Sequence, residues 1–160
     1  MTIEEDRSFM RLALDQARKS YSSNEVPIGA VIVLNKTVIG SGHNKVIEQN
    51  DVSSHAEINA IRDASSTLNN YRLNKSTIFI TLEPCHMCAK AIVDARIDRV
   101  VFGALEPKTG SIISIDNLFD RLKFNHKITF EHGLLADESA SLLKTFFKVE
   151  NDSLENFKNS

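Results

Sequence analysis

His55-Ala56-Glu57 and Pro84-Cys85-His86-Met87-Cys88 hold the side chains of this chain best suited to chemistry: one imidazole, two thiols and a separate carboxylate. Catalytic zinc typically takes three protein ligands and leaves its fourth tetrahedral position to water, whereas a structural site fills all four with Cys or His. Three donors, His55, Cys85 and Cys88, beside one spare acid, Glu57, are therefore the inventory of a hydrolytic zinc site. The two cysteines are the only ones in the chain and stand at i and i+3. A helix starting near Pro84 puts both sulfurs on one face of its first turn. His86, between them, points about a quarter turn away and reads as a pocket or surface residue. His43, His126 and His132 have no partner at ligand spacing.

Two elements must deliver the halves of this site. Proline favours a helix start and pushes the residue before it, Glu83, toward extended geometry. Residues 77–82 thus read as a strand running into a helix over 86–95. Ser54 reads as the cap of a second helix from His55 to Leu68, so that two positive helix ends converge on one metal and favour thiolates. Each half has another reading. Cys-x-x-Cys beside a strand and helix also suits a redox dithiol, and Ser54-x-x-Glu57 matches a capping box in which Glu57 reaches back to a backbone N–H. The joint occurrence favours zinc. Water on that metal would lose a proton at a pKa near about 7. Glu57, two residues from a ligand yet not counted as one, can take that proton and pass it to a substrate.

The remaining elements follow from periodicity. Phe9, Leu12, Ala13, Gln16 and Ala17, with Met10, Leu14 and Tyr21, form a helical stripe over residues 3–21. Residues 28–34 and 37–41 read as a hairpin across Asn35-Lys36, and a strand follows at 99–104. A short helix falls around 116–121, a last strand at 127–131, and a last helix at 136–149 with Leu142, Leu143, Phe146 and Val149 on its buried side. Strands alternating with helices make this an α/β chain with helices on both faces of one sheet. The helix 89–95 is weakly polar and suits either a partner or its own core. At 160 residues and 42% hydrophobic, one domain can bury a core without disulfides. It is placed at residues 1–150, followed by a polar tail at 151–160. Acids in the first twenty residues and the lack of a long apolar run exclude a signal peptide and a membrane span, which points to the cytoplasm.

The pairing of H-x-E with P-C-x-x-C is the signature of zinc deaminases, so that match is a recognition. The run from Glu25 to Val33, Asn-Tyr-Arg-Leu at 70–73, TLEPC-x-MC at 81–88, Arg96 to Gly103 and Lys108-Thr-Gly110 resemble the bacterial tRNA-specific adenosine deaminases of the cytidine and deoxycytidylate deaminase superfamily. The resemblance covers residues 9–149. It implies hydrolytic conversion of the wobble adenosine of a tRNA anticodon to inosine, with one Zn2+ per subunit held by His55, Cys85 and Cys88. By the same resemblance, Glu57 protonates the ring nitrogen and ammonia leaves. A three-layer α/β/α fold with a five-stranded mixed sheet of the cytidine deaminase type, and a homodimer, are also implied. Asn44 matches an asparagine that bonds base and sugar, while Ile28, Ala56, Glu106, Lys108 and Phe147 match substrate-contact positions. Each has a plainer reading: a turn asparagine, core apolar residues, or solvated charges.

Two features depart from the family. Relatives often carry aspartate at position 106, and some end in a basic helix where residues 150–160 here hold three acids and one lysine. The balance of 19 basic against 21 acidic residues gives no polyanion footprint, so the anticodon loop as partner rests on resemblance. Lys45, Arg72, Lys75, Lys108, Arg121, Lys123 and Lys127 still offer a scattered basic rim, with Tyr71, Phe146 and Phe147 as stacking faces. The competing functions are a guanine- or cytosine-type deaminase with the same zinc chemistry, and a zinc-stabilised binding module without turnover.

Overall fold

The computed structural model describes residues 1–159. Thr2 opens the first helix, α1 (Ile3–Ser22), its hydroxyl accepting the Glu5 N–H, and Glu4, Glu5 and Asp6 face the positive helix end. The chain then forms β1 (Gly29–Leu34) and β2 (Thr37–His43), joined at Asn35 and Lys36, which both take positive φ as a tight two-residue hairpin turn requires. A short helix α2 (Val46–Gln49) leads into α3 (Ala56–Leu68). Next come β3 (Thr77–Leu82), α4 (His86–Asp94), β4 (Arg99–Ala104), the short α5 (Leu118–Arg121), β5 (Thr129–His132) and α6 (Ala136–Asn159).

The sheet is mixed and five-stranded, in the order β2-β1-β3-β4-β5. β1 pairs antiparallel with β2 and β3, while β3, β4 and β5 run parallel. Alternation along the strands builds two apolar layers. Ala30, Ile32, Ile78, Ile80, Val100 and Phe102 face α3 and α4, packing on Ala56, Ala60, Ala64 and Ile92. Val31, Val33, Phe79 and Val101 face Met10 and Ala13 of α1. With α6 against β4 on the α1 side, the architecture is the expected three-layer α/β/α sandwich.

α3 lies unusually close to β2. A Cβ at Gly42 would stand 2.4 Å from the carbonyl oxygen of Ala56 and 2.4 Å from the nitrogen of Ala60, so only glycine admits that approach. At the opposite end of the parallel strands, Arg99 donates to Asp6 at 2.9 and 2.6 Å and to Glu131 at 3.0 and 2.8 Å, tying α1 to β4 and β5.

Several expectations need correction. The last helix does not stop at Val149 but runs to Asn159, carrying residues 151–159 as exposed helix, and Val149 itself is exposed. Leu12 is also exposed, because the buried stripe of α1 runs instead through Asp6, Met10, Ala13, Leu14, Ala17 and Ser20. Of the two readings left open for the helix after Pro84, a partner or its own core, Ala89, Ile92 and Val93 take the core, with Lys90 and Asp94 outside.

Candidate active site

The site lies beyond the carboxyl ends of β3 and β4, where open parallel sheets commonly hold ligands. β3 ends at Leu82 and passes through Glu83 and Pro84 to Cys85, the N-cap of α4; Cys88 follows inside its first turn. His55 is the N-cap of α3. The two positive helix ends do converge, as expected. Ser54, expected as the cap, stands one residue too early: its hydroxyl donates to Gln49 Oε1 at 2.6 Å, and the helix starts only after His55. That removes the capping-box geometry, which needs Ser54 at the cap and Glu57 three residues on.

Neither His55 nor Cys85 uses its side chain to cap its helix. They meet each other instead. His55 Nδ1 lies 3.7 Å from Cys85 Sγ and 3.5 Å from Cys88 Sγ, and the three ligand atoms fall within 4.8 Å of one another. Tetrahedral zinc with Zn–S of about 2.3 Å and Zn–N of about 2.1 Å requires sulfur and nitrogen about 3.6 Å apart. The donors fit. A redox dithiol has no need of an imidazole nitrogen between its sulfurs.

The electrostatics agree. Hydrogen bonds from Cys88 and His55 pull the Cys85 thiol down to about 4, despite burial. Its bond to Cys85 and its own burial push Cys88 up. A divalent cation held by the pair would favour the thiolate form of both. The bond to Cys85 raises the imidazole of His55. Glu57, only 4% exposed, is raised chiefly by burial, with the Cys85 charge adding to it. A buried carboxyl with raised affinity for protons, next to the three donors but not one of them, suits proton transfer.

A cleft of about 300 Å³ opens over these residues. His55, Glu57 and Cys85 form its polar floor. Val26, Ile28, Leu82, Ala104, Leu105 and Pro107 line it, with Ala140, Leu143 and Phe147 of α6 along one side. Of the expected contacts, Ile28, Glu106 and Phe147 line the cleft, while Asn44, Ala56 and Lys108 are not among the lining residues. Ala56 is fully buried. Asn44 donates through Nδ2 to the Val26 carbonyl at 3.2 Å and accepts the Val46 N–H at 3.3 Å, so its amide braces the chain behind Ile28. Lys108 is exposed, its N–H donating to Glu106 Oε1 at 3.0 Å. His86 is exposed and meets Asp116 at 2.8 Å, as does Arg121, which removes that arginine from a free basic rim.

Sequence reasoning passed over two buried acids. Glu25 accepts the N–H groups of Ile47 and Glu48, fixing α2 beside the site. Glu83 gathers hydrogen bonds from residues 106–114. Burial pushes its carboxyl up, but the bonds from Ser114 Oγ and from the Ile113, Ser114 and Glu106 N–H groups outweigh that and hold it below the ordinary value. An acid before a proline at a strand end was the one available signal.

Residues 3–104 match the cytidine and deoxycytidylate deaminase zinc-binding region. The chain is 47% identical to the tRNA-specific adenosine deaminase of Haemophilus influenzae, over 91% of this chain and 84% of that protein. To that of Bacillus subtilis it is 40% identical, over 90% and 89%. A solved structure from work on A-to-I editing by tRNA:A34 deaminases at the wobble position of transfer RNA superimposes with a TM-score of 0.82 and 45% identity, covering 85% of this chain and 99% of that one. The guanine deaminase of Nitrosomonas europaea shares the fold, with a TM-score of 0.77 at 22% identity over 88% of this chain and 83% of that one.

Proposed function

From the premise that this chain belongs to the cytidine and deoxycytidylate deaminase zinc-binding family and, within it, to the tRNA-specific adenosine deaminases, we infer that it hydrolyses the wobble adenosine of a tRNA anticodon to inosine. The observation that carries the chemistry is the trio of His55 Nδ1, Cys85 Sγ and Cys88 Sγ at zinc-ligand separations, with the buried Glu57 beside it at the floor of a cleft. Zinc held by these three supplies the Lewis acidity that lets water act as nucleophile at neutral pH.

The chain's own residues do the rest. Glu57 takes the first proton of the water as its oxygen bonds to the amine-bearing carbon and passes it to the adjacent ring nitrogen. It then carries the second, from the new hydroxyl, to the amine, and the C–N bond breaks to release ammonia as the C=O of inosine forms. Its burial supports this, because the same carboxyl must bind a proton in one step and release it in the next. Apolar groups from Ile28, Leu82, Leu143 and Phe147 shield the flipped base from bulk water, and Glu106 at the mouth faces the nucleotide. Asn44 contributes by bracing Val26 and Val46, with its contact to base or sugar requiring release of those bonds. Lys108, which is exposed, is assigned to the outer contacts of the anticodon loop, whereas Ala56, fully buried, offers the substrate only its backbone.

Residues 1–150 form the deaminase domain in this reading and 151–160 the polar tail, of which 151–159 are the exposed last turns of α6. No helix among the described residues is long and apolar enough to cross a membrane; the cytoplasmic location follows instead from the tRNA substrate inferred above. A homodimer is supported by Met87, Ile113 and Ile115, exposed apolar side chains flanking the His86–Asp116 contact. Likeness to the guanine enzyme extends to the fold alone. The test is purified protein with an anticodon stem-loop carrying adenosine at the wobble position. Inosine at that position is expected, and turnover of free guanine or cytosine with the RNA untouched would reject the reading.

A further inference from the structure

We propose that Glu83 is the positioning residue for the substrate-facing segment 105–115, holding it in binding geometry before RNA arrives; this rests on the function just inferred. The carboxylate is 2% exposed. Its Oε1 accepts the N–H of Glu106 at 3.1 Å and the Ser114 hydroxyl. Its Oε2 accepts the N–H groups of Ile112, Ile113 and Ser114 at 3.1, 2.7 and 3.0 Å. Both ends of the segment are therefore tied to one side chain. The backbone reinforces the tie: Ser111 donates through N–H and Oγ to the Pro84 carbonyl at 3.0 and 2.9 Å, and the Glu83 N–H donates to Ala104 at 2.9 Å.

Along this segment the chain presents Leu105, Glu106, Pro107 and Thr109 to the cleft. Gly110 makes the arrangement possible, because a Cβ there would lie 2.3 Å from the Glu83 carboxyl carbon. A buried acid satisfied by backbone N–H groups often serves the fold alone. Here the fold has other anchors for this stretch: Ile112 sits in the core layer under α3 and α4, and Leu118 is buried just beyond. What depends on the carboxylate is the arc from 105 to 110, which carries the four cleft residues. Ordering that arc in advance removes an entropic cost that substrate binding would otherwise bear.

Glu83→Gln keeps the volume but replaces one oxygen with an N–H2 donor facing N–H groups, so one end of the segment must let go. For the zinc-loaded full chain acting on the wobble-adenosine stem-loop, KM is expected to rise about tenfold with kcat within about threefold. Zinc stoichiometry stays unchanged, and amide exchange at 106–114 quickens by about tenfold while β3 and α4 keep their protection. Gly110→Ala pushes on the same carboxylate from the other side and should reproduce both effects; it carries the test if E83Q does not fold. Unchanged KM and unchanged exchange in the folded variants would overturn the proposal, as would loss of kcat or zinc with KM intact. If wild-type protein forms no inosine, the functional reading fails instead, and the exchange data still judge the role of Glu83.

Discussion

Gly42→Ala turns the close approach of α3 to β2 into a measurable loss. The added Cβ would meet two backbone atoms at 2.4 Å, one on Ala56 and one on Ala60, where ordinary contact begins at 3.4 Å. Backbone cannot swing aside as a flexible side chain does, so α3 and β2 must separate. If α3 moves, His55 and Glu57 move with it by about 1 Å, a displacement that can cost about 100-fold in rate. That corresponds to about 2.7 kcal/mol of transition-state stabilisation. Overpacking adds a stability loss of about 1–3 kcal/mol, or about 2–4 °C in Tm for each kcal/mol. The assay is kcat/KM on a wobble-adenosine stem-loop, with zinc content and Tm measured on the same preparation. Reduced zinc counts for the argument, since His55 rides on the displaced helix. β2 is an edge strand and could yield instead. A folded, zinc-loaded variant within about threefold of wild-type kcat/KM would show that it does, and would refute the reasoning.

Glu57→Gln should keep zinc while kcat falls by about a thousandfold, measured by single-turnover inosine formation beside elemental analysis; metal lost with the carboxylate would make Glu57 a ligand. Arg99→Ala strands the buried Asp6 at the far end of the parallel strands, so Tm should fall as about 2 kcal/mol of stability is lost, with kcat per folded molecule unchanged. His43 is held below its ordinary value of 6.5, first by burial and then by Lys45 and Lys19. The unfolded chain therefore binds the extra proton first, and this residue costs stability as pH falls below 6.5 toward its folded value. Denaturation of wild type and His43→Gln at pH 5.5 and 7.5 should show the wild type losing more on acidification, and parallel losses would contradict that.

The grouping of the three donors beside an acid was legible in the sequence because it is written in residue types that have few other uses at that spacing. His55, Glu57, Cys85 and Cys88 could be named before any fold was known, and Pro84 located the helix that carries two of them. The strands at 77–82 and 99–104 were equally plain, being bounded apolar runs. What could not be read is what depends on distant backbone. Glu83 and Glu25 look like ordinary acids until N–H groups more than twenty residues away turn toward them. The resemblance gives the Asn44 side chain to base and sugar, yet its amide is engaged by Val26 and Val46. Ser54 obeyed capping preference on paper, but its hydroxyl is drawn to Gln49, on a one-turn helix too short to announce itself. Val149 keeps the apolar period of α6 but is exposed, because the buried side of that helix reaches no further than Phe146.

The candidate metal donors His55 and Cys85 occupy N-cap positions, where a serine, threonine or aspartate would strengthen a helix by about 1 kcal/mol. Libraries sorted only for heat resistance in chelating buffer should accordingly enrich replacements at these two places and deliver sturdier, inert proteins. Selection on this scaffold has to be run with the ion present, or it will reward discarding it.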